Sequence, residues 1–296
     1  MVRDADMPLG RSVVAVLGTG TSNQVGAATG AMAFPVIGPG GVVAVRQVVA
    51  AVTLMAISRP QIRRLGWPQW WPVLALALIF SVMNLSLYTA IDRIGLGLAV
   101  TLEFLGPLGV ALFASRGRSE WLIAVGAAVG VYVLILPDSS SDLLGVGLAL
   151  LAAACWAGYI LINRIAGTRL PGVQAPALAS TISAILYMPV LMMLLAQGRL
   201  TGMPLVYAVV AGVLSSAVPF AIDLTVLRSV PPRLFGVLMS VHPGLAALAG
   251  LVLLGQVPAV HEWIGMAMIV LANVAAVTMA DRTPVDEPVP VLEPVA

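Results

Sequence analysis

The stretch Ala99–Arg118, AVTLEFLGPLGVALFASRGR, decides how this chain is read. It is apolar for most of its length and ends in two arginines, yet it carries a glutamate and a proline inside. An ionisable side chain at the bilayer centre costs about 2.5–3.5 kcal/mol on insertion scales, so such residues face a cavity or a partner. Glu103 therefore predicts a membrane helix beside a passage, or one hydrogen-bonded to a neighbouring helix. Pro107, four residues on, removes an intrahelical hydrogen bond and frees the carbonyl of Glu103, which predicts a kink. Broken membrane helices are tolerated where their backbone lines a cavity.

The rest of the chain is of the same kind. Of 296 residues, 60% are hydrophobic and 9% charged, and the mean hydropathy is +1.02. Soluble domains carry about 25% charged residues. So few polar groups cannot cover the apolar surface in water, which excludes a soluble enzyme. The 15 basic residues are all arginine, scattered in ones, twos and threes, and the net charge is only +2. That pattern gives no basic stripe for nucleic acid. The one cysteine, Cys155 in LALLAAACWAGYILI (148–162), has no intramolecular disulfide partner and reads as packing. His242 and His261 lie far apart in sequence, so no Cys/His cluster predicts a metal, and no cofactor is expected.

A membrane helix needs about 20 mostly apolar residues. Spans are expected near 12–32, 41–58, 70–91, 95–115, 120–136, 143–163, 175–196, 205–227, 234–255 and 262–280. Clusters such as PVIGPGG (35–41) and SVPPR (229–233) supply the breaks. The first span reads as a retained helix rather than a signal peptide. With the N-terminus in the cytoplasm, cytoplasmic segments hold twelve arginines, outer loops hold Arg93 and Arg199, and Arg46 stays inside a span. This bias fixes the orientation, with both termini cytoplasmic. The tail DRTPVDEPVPVLEPVA (281–296) is proline-rich and acidic, without a helical period, and is expected to be disordered.

Sliding the chain on itself by 136 residues superposes the first five spans on the last five. Pro107 then falls on Pro243, Leu102 on Leu238, Ala111 on Ala247, and Gly38–Gly40 on Gln174–Pro176. An odd number of helices per copy inverts the second copy, as in secondary transporters with a midplane site between the halves. The expected fold is thus an all-α integral membrane protein of ten transmembrane helices in two inverted five-helix repeats. Its divisions are a cytoplasmic N-terminus (1–11), the repeats 12–138 and 143–280, and the tail.

Four ionisable residues lie inside the spans. Burial makes the charged form of Glu103 expensive, which suits it to accept a proton. Asp223 is either a second acidic site or a cap at the cytoplasmic end. His242, directly before Pro243, either titrates near physiological pH or bonds neutrally to a backbone carbonyl. Arg46 either meets a substrate carboxylate or snorkels to the interface. Asn23, Gln24, Asn84, Trp156 and Tyr159 suit a cavity wall, or bond between helices.

At these residues the chain resembles the drug/metabolite transporter superfamily of the EamA type, and more narrowly the inner-membrane threonine/homoserine exporters. The likeness is carried by FPVIGPGGVVAVRQ (34–47), MNLSLYTAI (83–91), LEFLGPLGVALFASR (102–116), ACWAGYIL (154–161) and FGVLMSVHPGLAALAG (235–250). It implies inverted five-helix repeats and proton-driven export of amino acids or similar metabolites. The family pattern has a glutamate where His242 stands and another where Gln256 stands; the acids at Asp223 and Glu103 are retained.

The expected function is therefore an alternating-access exporter of a small-molecule substrate in the cytoplasmic (inner) membrane. Its transport unit is a monomer, its partners are protons and the lipid bilayer, and a homodimer of such units is compatible with it. Glu103, with Asp223, meets the ammonium or exchanges protons, and Arg46 or a helix break meets the carboxylate. One rival is an exporter of drugs or organic cations, held through acidic and aromatic contacts. Another is an intramembrane enzyme, for which the chain offers no HExxH, paired-aspartate or Ser/His constellation.

Overall fold

The computed structural model describes residues 9–60, 62, 65–114, 118–136, 142–219 and 232–280. Those residues form helices and connections, with no strand among them. In chain order the helices are α1 (Leu9–Ala31), α2 (Phe34–Ser58), α3 (Trp67–Ile94), α4 (Leu96–Glu103), α5 (Leu105–Ala114), α6 (Arg118–Ile135) and α7 (Leu143–Gly167). Then come α8 (Gln174–Leu186), α9 (Met188–Ala196), α10 (Gly202–Gly212), α11 (Pro232–Met239), α12 (His242–Leu254) and α13 (Val260–Ala280). A π-helical turn, Val213–Ala217, continues α10.

Among the described residues helix is present in each of the expected intervals, the interval 205–227 being described only to residue 219, and it differs from the expectation in detail. The second begins at Phe34, not at residue 41, because Pro35 sits in the first turn, where its missing N–H costs nothing. Gly38, at φ +68° and ψ 167°, is non-helical and kinks the run, so the long helical segment resumes beyond it, close to the expected start at residue 41. The interval 175–196 is two helices, α8 and α9, bent by 44° at Tyr187, with Pro189 in the first turn of α9.

Six helical runs are each long and apolar enough to cross a membrane: α2, α3, Leu96–Phe113, α7, Gly236–Leu254 and α13. The bent α8–α9 pair makes a seventh. Phe113 is 91% exposed, Val257 81% and Val252 76%. Such side chains, distributed around the bundle, belong against acyl chains, and the protein is a multi-pass membrane protein. Trp67, Trp70 and Trp71 open α3, and the Arg169 guanidinium lies 5.1 Å from the Trp71 ring while donating to the Pro68 carbonyl at 2.6 Å. Aromatic and arginine side chains of this kind suit the headgroup level.

Helix α3 packs along α7 and α8, α2 along α8 and α10, α6 along α13, and α12 against α1 and α4. Lipid tails are as apolar as leucine, so close approach and hydrogen bonds hold membrane helices together. Small residues allow that approach here. A Cβ on Gly97 of α4 would lie 3.1 Å from the Cα of Ala247 on α12, and one on Gly106 of α5 would meet the Ala153 carbonyl of α7. Tyr88, Leu96, Leu102 and Ile269 are fully buried in the shared core.

Candidate functional site

Two breaks in the helical ladder meet at one place. Phe104 separates α4 from α5, and Ser240–Val241 separate α11 from α12. Glu103 ends α4, Pro107 lies in the first turn of α5, and His242 and Pro243 open α12. The Phe104 ring joins the two sides, T-shaped against Trp156 at 4.7 Å and tilted against His242 at 5.7 Å.

A cavity of about 600 Å³ runs from the α7–α8 connection at Gly167, Gly172 and Val173 to these breaks. Its walls come from α5 (Pro107, Leu108), α7 (Trp156, Tyr159, Asn163), α11 (Met239), Ser240 and α13 (Asn273), with Phe104 at its inner end. Three sequence-predicted residues, Pro107, Trp156 and Tyr159, thus line one space. Asn163, Ser240 and Asn273 add polar groups to an otherwise greasy lining; the sequence reading did not single them out. Asn273, alone in VLANVAAV (270–277), is a signal that was available.

Glu103 directly precedes Phe104 and is 7% exposed. His242 is also 7% exposed, and its Nε2 is buried with no hydrogen-bond partner among the described residues. A Cβ on Gly20 of α1 would come within 2.7 Å of that Nε2, so the imidazole packs against the bare backbone of α1.

Arg46 is half-buried and makes no ion pair among the described residues. Its acceptors are neutral: Nη1 donates to Asn84 Oδ1 at 2.9 Å, Nη2 to the Ser215 carbonyl at 3.2 Å, and Nε points at Ser216 Oγ at 3.5 Å. The guanidinium lies 5.2 Å from the centre of the Tyr88 ring. Asn84 is oriented by its own Nδ2, which donates to the Phe80 carbonyl at 2.7 Å. The structure therefore joins Arg46 with Asn84, whereas Gln24 is buried in α1 and Asn23 enters only through its carbonyl, which accepts from Ser215 Oγ at 3.0 Å. Asp223 lies outside the described residues.

A further buried network escaped the sequence reading. Gln47 Nε2 donates to Ser183 Oγ at 2.8 Å, Ser183 and Ser81 hydroxyls meet at 2.8 Å, and Tyr187 donates to the Ser81 carbonyl at 2.7 Å. It ties α2 to α3 and to the α8–α9 bend. Gln47 and Ser183 stand 136 residues apart.

The start of α4 is fastened to the α12–α13 connection. The Leu96 N–H at the start of α4 donates to Gln256 Oε1 at 2.9 Å, and Gly97 lies against Ala247 just below. Gln256 thus supplies a cap that the glycine preceding α4 cannot. Nearby, Arg93 and Asp142 form an ion pair at 2.9 Å. The Gly145 N–H, and then the Arg93 guanidinium, hold the Asp142 carboxyl below the usual aspartate range.

A family model described as the EamA-like transporter family matches residues 143–278. The threonine/homoserine exporter RhtA of Salmonella typhimurium (strain LT2) is 34% identical over 281 residues, covering 94% of this chain and 95% of that protein. The RhtA of Escherichia coli (strain K12) is 33% identical over 273 residues, covering 91% and 92%. One solved crystal structure superposes with a TM-score of 0.59 at 18% identity, covering 92% of this chain and 98% of that one, a likeness of fold.

Proposed function

The chain belongs to the EamA-like transporter family, close to the RhtA threonine/homoserine exporters, and from that premise we propose that it exports threonine, homoserine or a related small amino acid. Transport is by alternating access across the cytoplasmic membrane and is driven by protons. The family is one of transporters, so chemistry on the cargo is not required, only discrimination and movement.

One observation carries the reading: the buried carboxyl of Glu103 ends α4 at a helix break whose Phe104 lines the cavity, and the Arg46 guanidinium meets neutral acceptors among the described residues. A zwitterionic amino acid offers an ammonium for Glu103 and a carboxylate for Arg46. Holding both charges in a desolvated protein is expensive unless the cargo or a proton answers them. Phe104 and Trp156, in T-shaped contact, both line the cavity, and Phe104 directly follows Glu103 in the chain, so cargo in the cavity meets this aromatic pair next to the acid.

Inverted repeats are supported by helix C-terminal ends 136 residues apart: the end of α4 at Glu103 answers to the end of α11 at Met239, and the end of α1 at Ala31 to the end of α7 at Gly167. On the arginine distribution the cavity reaches the cytoplasmic end, the side from which an exporter loads. Asp223 is retained in the proposal as a second acid. The cation-exporter reading is favoured by the aromatic lining, but Arg46, a fixed positive charge with free capacity, opposes it.

The test is counterflow with the purified full chain in liposomes. Internal unlabelled threonine or homoserine should drive uptake of labelled threonine, while a lipophilic cationic dye should not compete. Competition by the dye without amino-acid exchange would transfer the function to the cation-export reading.

A further inference from the structure

The acceptors around Arg46 raise a question that the export reading leaves open: why a guanidinium destined for a carboxylate should grip a main-chain carbonyl. The Ser215 carbonyl belongs to the π turn Val213–Ala217. Such turns are rare, and as single-turn bulges they frequently mark functional sites. This one is held from two other helices. Ser22 Oγ of α1 donates to the Leu214 carbonyl at 2.8 Å, Ser215 Oγ donates back to the Asn23 carbonyl at 3.0 Å, and Arg46 of α2 takes the Ser215 carbonyl. Gly212, just before the turn, sits against the Val49 side chain, one helical turn along α2 from Arg46.

Resting on the amino-acid export reading, we propose that Asn84, the Ser215 carbonyl and Ser216 are place-holders that the cargo carboxylate displaces from Arg46, freeing the π turn of α10. A carboxylate accepts two parallel N–H bonds from a guanidinium and is a stronger acceptor than an amide or peptide oxygen. The donors now spent on Asn84 and Ser215 are the ones it would take. The 3.5 Å Ser216 contact is already long and breaks first. Once Arg46 turns to the cargo, the π turn loses its tie to α2 and keeps only those to α1. Because α10 packs on both helices, the loss alters how it is held against them, and occupancy is transmitted to the bundle. Asn84 and Ser216 are positioning residues in this scheme, acting on cargo through Arg46.

Two measurements on the full chain in lipid nanodiscs decide it, using threonine and threoninol, which keeps the amine and side chain but lacks the carboxylate. In hydrogen–deuterium exchange, threonine should change the exchange of residues 213–217 in the wild-type protein, and threoninol should not. In calorimetry, Asn84→Ala should bind threonine about three- to tenfold more tightly, because the competing charge-assisted bond is gone, with threoninol affinity unmoved. If threonine binds but exchange at 213–217 is unchanged, or if Asn84→Ala weakens threonine binding, the place-holder scheme is overturned and the export reading stands. If wild-type protein binds no threonine, the cargo assignment falls and the scheme with it. Should Asn84→Ala fail to fold, the wild-type exchange result decides alone.

Discussion

Replacing Gln256 tests whether its contact with the start of α4 holds this end of the bundle together. Gln256 Oε1 accepts the Leu96 N–H at 2.9 Å and lies beside Gly95 and Gly250, so its side chain bridges the α12–α13 connection to the start of α4. Gln256→Ala removes that bridge and leaves the first turn of α4 uncapped. A lost helix cap costs about 0.5–2 kcal/mol, typically about 1. Taken wholly from the closed arrangement, about 1 kcal/mol changes an open-to-closed ratio by roughly fivefold. Gln256→Glu keeps an acceptor at the same place, and a carboxylate at a helix N-terminus is favourable, so it should leave the ratio near the wild-type value. A cysteine at Leu102, fully buried and bordering the cleft at this end, reports opening in a Cys155→Ser background. Labelling by a membrane-impermeant maleimide from outside intact cells should rise roughly fivefold with Gln256→Ala and hold steady with Gln256→Glu. Equal labelling in all three proteins, each folded, would refute the reasoning, as would equal rises in both variants.

Further outcomes follow from single positions. Gly106→Ala drives a methyl into the Ala153 carbonyl and should destabilise the detergent-purified chain by about 1–3 kcal/mol. Gly109→Ala on the same helix meets nothing within 4 Å and should instead stabilise it by about 0.5–1 kcal/mol; thermal unfolding of the pair checks the opposite signs. Asp142 has a depressed folded-state pKa, so its contribution is present above the ordinary aspartate pKa and is lost as pH falls through the lower folded value. Wild type should therefore outlast Asp142→Ala in thermal unfolding at neutral pH, and the gap should close in strong acid. Gly20→Ala presses on the His242 imidazole and on Leu245, so it should slow threonine counterflow more than Gly18→Ala, whose methyl meets nothing within 4 Å.

Much of the fold was legible because apolar runs punctuated by Pro, Gly and arginine carry the membrane requirement directly in the sequence. The bend at Tyr187 was also available, through Pro189, but a proline inside an apolar run reads equally as a kink or as a tolerated first-turn residue. The π turn carries no composition that distinguishes it from helix, since it differs only in how the backbone bonds close. Glu103 and Arg46 stood out because charge is conspicuous among apolar neighbours. Their surroundings did not, because Arg46 finds Ser215 and Ser216 at sequence separations of 169 and 170. The Gln47–Ser183 bond is the instructive miss. Its two residues differ by 136, the shift used in the self-comparison, so that comparison paired them without showing that they touch.

The most direct test of the account is Glu103→Gln in proteoliposomes, read in two modes with labelled threonine. With an imposed proton gradient, wild-type protein should accumulate threonine above its equilibrium level and Glu103→Gln should not, while counterflow without a gradient persists in both. Gradient-driven accumulation by Glu103→Gln equal to that of wild type would contradict the claim that this buried carboxyl couples protons to cargo.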